Sequence, residues 1–274
     1  YGSGMYIVTE NGISFYDGEV VKNQIYKKVN GSSILNGKKI KFSGTKAYIV
    51  TDNQILTANV KTFENKEEIN GFTNAVDLDF VSYNRLFVVD KGDSRVKVVD
   101  LLTSSITSDI ETGDNTQPVF IVSNSYKSFV LNGGGVATQT KDSTVVVIEY
   151  RDDLVELADF IGDLSVGDNP NSAVLSGRLK VLSQGVYDPI NSINNTESSL
   201  SDVNQYSNQV YSTNTLTGIY NAQNLISNWN NSICYLTAEG GVYSLNESSL
   251  NANLLVSVNA SIIDAIVESF PDTD

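Results

Sequence analysis

LFVVDKGDSRVKVVDLLTSSITSDIETGDNTQPVFIVSNSYKSFVLNGG, residues Leu86–Gly134, decides the fold. It opens on an apolar run, Leu86–Asp90, turns through Lys91-Gly92-Asp93-Ser94, and returns as Arg95–Asp100. A polar stretch, Ser104–Gly113, follows, and Pro118–Ser123 precedes the next apolar run. Short Val/Ile/Phe-rich runs divided by Gly, Asp, Asn and Ser are the pattern of strands in hairpins. No stretch shows sustained helical periodicity.

Outward from this stretch the pattern recurs. MYIVTENG, AYIVTDNQ, LFVVDKGD, SFVLNGGG, LKVLSQGV and CYLTAEGG align on Tyr6, Tyr48, Phe87, Phe129, Lys180 and Tyr235, at intervals of 42, 39, 42, 51 and 55 residues. Each is followed by a second run (ISFYD, QILTANV, RVKVVDL, STVVVIEY, NQVYSTNTL, GVYSLNE) and then by a polar third run such as NKEEING or LVELADFIG. A fourth run precedes the next unit: KIKFS, AVDLDFVS, PVFIVS, NSAVLS and finally SIIDAIVES. Four strands per unit of about 40 residues, repeated in series, predict an all-β propeller of four-stranded blades. Six units are counted. The chain opens on the second strand of a unit and ends in a run with no partners after it. A single domain over residues 1–274 is therefore expected, with Ser261–Ser269 supplying the innermost strand of the first blade.

Composition narrows the chemistry. Lys and Arg number 18 against 32 Asp and Glu, a net charge of −14, and histidine is absent. That removes Ser-His-Asp and Cys-His catalysis and every histidine-bearing metal site. The lone Cys234 removes internal disulfides. With no surplus of cations to displace counterions, nucleic acid is not expected as a partner. No run of apolar residues is long enough to span a membrane as a helix. The start at Tyr1 rather than Met leads us to expect a processed product.

Leu86–Gly134 resembles the YVTN-type β-propeller repeat, as does VGDNPNSAVLSGRLKVLSQG, Val166–Gly185, with its Gly-x-x-Pro before the inner strand. The opening YGSGMYIVTENGISFYDGEVVKNQIYKKVNG resembles the surface-lipoprotein branch of that family found in Bacteroidetes. The resemblance implies an extracytoplasmic protein held by lipid at the outer-membrane surface. Its expected partners are an outer-membrane protein complex or a TonB-dependent transporter, and some members capture vitamin B12. This chain departs in two ways: the branch commonly has seven blades, and the lipid-bearing N-terminal cysteine is absent here. Either the ring closes at six, or a seventh unit lies beyond Asp274.

With strands A to D running outward in each blade, the A–B and C–D turns share one face and the B–C and D–A connections the other. The A–B turns are short, whereas Asn132–Asp142 and Gln184–Asn208 are long segments assigned as B–C connections. Long loops carry function more often than short ones, although insertions cost little closure entropy. The B–C/D–A face is accordingly the expected binding face, with Asn132, Gln184, Tyr187 and Tyr206 on its loops. Aligning the inner strands on their closing serines places Lys38, Asp77, Asn171 and Asp264 in a polar ring at the channel mouth. Polarity there also follows from water filling a channel.

The other constellations are weaker. Gly133-Gly134-Gly135 lacks the Lys-Ser/Thr of a phosphate loop. No Asp-x-Asp-x-Asp-Gly calcium loop occurs. Asp142-Ser143-Thr144 matches an O-glycan acceptor pattern over three residues only. Trp229, with Tyr187 and Tyr206, is placed to stack on a flat ligand or simply to pack. The expectation is a non-enzymatic binding protein or accessory subunit, with no catalytic residues, metal or cofactor. The alternatives are a corrinoid-type small-molecule capture lipoprotein and a metal-dependent hydrolase of lactonase type using Asp77 and Asp264.

Overall fold

The computed structural model describes residues 4–82, 84–113, 117–134, 141–151, 157–188, 190–227, 234–238, 240–245 and 252–257. The fold is a six-bladed β-propeller, and its sheets are consecutive antiparallel meanders.

The first compact unit spans Tyr1–Asp114. Its first sheet is β1 (Met5–Thr9), β2 (Gly12–Tyr16) and β3 (Val21–Lys22), followed by a short helix, α1 (Ile25–Asn30). The second is β4 (Lys39–Ser43), β5 (Lys46–Val50), β6 (Gln54–Asn59) and β7 (Asn65–Asn70). The third is β8 (Ala75–Ser82), β9 (Arg85–Asp90), β10 (Arg95–Asp100) and β11 (Ser105–Glu111). Two points differ from expectation. The helix was not foreseen; it seats Ile25 and Tyr26 in the core with Ile13, Phe15 and Phe63. Among the described residues the first sheet has three strands, and the closing strand assigned to 261–269 lies outside them.

The second unit spans Asn115–Asp274. Its first sheet is β12 (Pro118–Ser123), β13 (Lys127–Asn132), β14 (Thr144–Arg151) and β15 (Leu157–Ser165). Next come β16 (Pro170–Ser176), β17 (Arg178–Ser183), β18 (Ser199–Asn204) and β19 (Gln209–Thr215). The last is β20 (Asn224–Ser227), β21 (Cys234–Ala238), β22 (Gly241–Leu245) and β23 (Ala252–Ser257). Here the sequence reading needs correction. NQVYSTNTL is the outermost strand β19, not the third; the true third strand, β18, was hidden inside the segment taken as loop. The inner strand β20 was not anticipated at all.

The recurring apolar runs are the B strands, buried along nearly their whole length in β5, β9, β13 and β17. A strand with neighbouring sheets on both faces reads as a continuous apolar run rather than an alternating one. The polar third runs are the outer edges: β7 and β11 each bury one residue. Charged outer strands discourage edge-to-edge pairing. Three of the turns after the C strands share one chemistry. The side-chain oxygens of Asn59, Asp100 and Asn204 each accept two backbone N–H groups two and three residues on. Four residues past each, Phe63, Ser104 and Asn208 adopt left-handed φ of 64°, 51° and 57°. Asn and Asp cap such turns because their short side chains bond their own backbone.

Candidate binding face

In the second unit, the B–C connection of the fifth sheet runs from 184 to 198, shorter than the 184–208 expected. It is well anchored. Gly185 N–H donates to Asp168 O (2.9 Å), Val186 N–H to Thr196 Oγ1 (2.8 Å), and Thr196 N–H returns to Val186 O (2.9 Å). Asp188 Oδ1 accepts from Ile190 and Asn191, and Asn195 Oδ1 accepts from Asp188 N–H. Gln184 is buried, its Nε2 donating to Asn221 Oδ1, and Tyr187 is half-buried. The outermost residues are apolar: Ile190 is 95% and Ile193 85% exposed.

Tyr206 is not on this loop. It lies on the C–D turn between β18 and β19, at the opposite end of the strands. There its carbonyl accepts from Lys127 Nζ (2.7 Å), and the neighbouring Gln205 accepts from Asn124 Nδ2 (2.7 Å), docking the turn on the preceding sheet. The misplacement follows directly from taking β18 as loop.

The proposed polar ring divides. Lys38 precedes β4, and its ammonium reaches Asn74 Oδ1 and Ala75 O (2.8 Å) in the approach to the next sheet. Asn171, on β16, likewise gives its Nδ2 to Ala222 O (2.8 Å), ahead of β20. Both brace the start of one inner strand against the chain entering the next inner strand. Asp77, on β8, is 1% exposed and accepts from Leu78 N–H (2.9 Å). Asp79 pairs with Lys41 across neighbouring inner strands at 3.1 Å. Bulges in β8, β12 and β16 leave Val76, Val119 and Asn171 without direct partners, so Asp77 is equivalent to Ser172 rather than to Asn171. The serine alignment of β8 with β16 was thus one residue out of register, because a second bulge, between Phe80 and Ser82, adds to β8 a residue that β16 lacks. Asp264 and Trp229 lie outside the described residues.

Asn132 is also buried; its Nδ2 donates to Thr144 Oγ1 (2.9 Å). Asp142 Oδ1 accepts from the N–H groups of Ser143 and Thr144 and from the Thr144 hydroxyl (2.7 Å). The Asp-Ser-Thr triplet is therefore the turn that starts β14. Residues 135–140 of the intervening loop lie outside the described set.

The sequence reading missed a row of buried polar residues closing the B strands: Thr51, Asp90, Asn132 and Ser183, all at most 3% exposed. Asp90 holds its own D–A linker, accepting N–H from Thr73 (2.8 Å), Asn74 (2.7 Å) and Gly92 (3.3 Å). A polar residue ending an otherwise apolar run, as in LFVVD and SFVLN, was the available signal.

In the first unit, the segment after α1 and the β5–β6 turn enclose a concavity of about 330 Å³ lined by Ser33–Asn36 and Thr51–Gln54. At its side Asp52 pairs with Lys38 at 2.5 Å and accepts from Asn36 Nδ2 at 2.5 Å. The Lys38 hydrogen bond, reinforced by Asn36, holds the Asp52 carboxyl below its ordinary value against the opposing effect of partial burial. A depressed carboxylate contributes stability that is present above its unfolded pKa and is lost as pH falls through the folded one. Wild type should lose more stability than Asp52→Asn on acidification below about pH 4. Because the pair is partly exposed, the difference is at most about 1 kcal/mol; parallel acid slopes in urea titrations would contradict it. Among the described residues no group of three or more His, Cys, Asp or Glu is arranged to hold a metal ion.

No protein-family model matches the sequence, and no curated protein matches it. Solved structures do. A quinonprotein alcohol dehydrogenase-like protein from Bacteroides thetaiotaomicron superposes with a TM-score of 0.68 at 13% identity, over 93% of this chain and 64% of that one. The extracellular domain of a putative one-component system from the same organism gives 0.64 at 13% identity, over 94% of this chain and 33% of the other. Kuenenia stuttgartiensis hydrazine synthase gives 0.61 at 15%, over 85% of this chain and 60% of that chain. The chain thus spans less than two thirds of each of these three. At such identities the likeness defines the class, a six-bladed β-propeller, and leaves the activities named for those proteins as theirs.

Proposed function

We propose that this propeller is a non-enzymatic, extracytoplasmic binding protein that engages a protein partner through its B–C and D–A loop ends. One observation carries the reading: the 184–198 loop is locked at its base, yet presents Ile190 and Ile193 almost fully to solvent. Holding a pre-ordered apolar tip in water has no folding benefit, whereas a preorganised anchor loses little entropy when a partner buries it. The structural likeness to a Bacteroides extracellular domain supports the extracytoplasmic setting. The resemblance of the opening sequence favours an outer-membrane protein complex or TonB-dependent transporter as the partner class.

A photo-crosslinking residue at position 190, in intact cells of the source organism, should join the chain to a discrete envelope protein. The same group at Tyr126, 67% exposed on an A–B turn, should not. Adding Ile193→Asp should lower the yield about 30-fold, as for loss of an interface anchor. An unchanged yield in that variant would refute the reading.

A further inference from the structure

The concavity beside α1 has a chemistry of its own. Its charged groups cancel: Asp52 and Lys38 are paired at 2.5 Å, and Lys38 also donates to Ala75 O. An anion would have to take the ammonium from Asp52, and a cation would have to take the carboxylate from Lys38. What the walls offer instead is the Ser33 hydroxyl and the amides of Asn53 and Gln54, with Asn36 beside them. Hydroxyl and primary amide groups each donate and accept, which is the pattern that complements a ligand rich in hydroxyls. The remaining lining is aliphatic. Ile34 and Leu56 are buried beneath, and Leu35, 69% exposed, stands at the rim. Such a surface covers the C–H face of a sugar ring while the amides take its hydroxyls. A volume near 330 Å³ lies at the lower end of small-molecule sites.

We propose that this concavity is a binding site for a neutral polyhydroxylated ligand, a mono- or disaccharide. It rests on the reading of the B–C and D–A ends as binding surfaces, since Thr51–Gln54 is a B–C turn and Ser33–Asn36 a D–A connection. It does not involve the isoleucine loop.

The test is a two-dimensional NMR titration of the whole chain with maltose, cellobiose and methyl galactoside. Glucuronate and glucosamine serve as charged comparators. At least one neutral sugar should give saturable shifts confined to residues 33–36 and 51–54, with an affinity on the order of millimolar. The Asn53→Ala, Gln54→Ala double variant should weaken that binding about 10-fold, corresponding to two lost hydrogen bonds, with an unchanged melting temperature. Three results would each overturn the proposal: no saturable shift with any neutral sugar up to about 50 mM, equal binding by the double variant, or tighter binding of either charged comparator. The crosslink from position 190 is indifferent to all three, so failure here leaves the protein-binding reading standing, and failure there is told apart from failure here by the sugar titration itself.

Discussion

Asp90→Ala should lower the melting temperature by roughly 6–12 °C, the equivalent of about 3 kcal/mol in a chain of this size. The carboxylate is fully buried and accepts three backbone N–H groups, from Thr73, Asn74 and Gly92. Truncation leaves those donors without an acceptor in a site that water reaches poorly, and each orphaned buried donor costs about 1–3 kcal/mol. Because Thr73 and Asn74 form the linker that starts β8, the damage should appear there first, as faster amide exchange at 73–75. Asn74 also receives Lys38, so the loosening should reach the preceding blade. Asp90→Asn keeps one acceptor oxygen and should recover about half of the loss. Calorimetry showing a shift within about 2 °C for the alanine variant would contradict this account of the linker.

Gly185→Ala should dismantle the anchored loop. Gly185 has φ of +82°, and a Cβ there would sit 2.7 Å from Thr196 O and 2.9 Å from Glu197 O. Backbone oxygens cannot swing aside as a flexible side chain can. The left-handed conformation and the overlap together should cost about 2–3 kcal/mol. Gly177 is a matched control: its φ is +69°, with open space around the added carbon. Gly177→Ala should therefore carry only the conformational cost, about 1–2 kcal/mol. Hydrogen exchange at Val186 and Thr196 should accelerate strongly in the first variant and remain slow in the second. Equal protection in both would mean that the Gly185 contact does not hold the loop.

The fold was legible because four of its B strands, β5, β9, β13 and β17, are buried on both faces. A run such as LFVVD or KAYIV can belong to little else, and its regular recurrence counted the blades. Where burial is one-sided or the strand short, the signal faded. β18 reads SLSDVN, with serines and an aspartate among its apolar residues, and β20 is four residues long amid Asn and Gln. Missing β18 lengthened one loop on paper and moved Tyr206 to the wrong end of its blade. The candidate ring was drawn out of register for a different reason. Bulges shift register without leaving a mark in composition, and Lys38 and Asn171 proved to be engaged with backbone carbonyls. The concavity could not be seen in the sequence because its two walls, Ser33–Asn36 and Thr51–Gln54, each read as an ordinary turn. Only folding sets them face to face.

Asn171 braces the following blade by donating to a carbonyl group, Ala222 O, rather than by matching a particular side chain. Every residue type carries that carbonyl. A clasp that reads only main chain is blind to drift in the linker it grips, so neighbouring blades need not change in concert as their sequences diverge. A lineage built this way can copy, insert or rewrite single blades and keep its joints. That gives a physical route by which chains sharing barely one residue in eight can keep a common architecture.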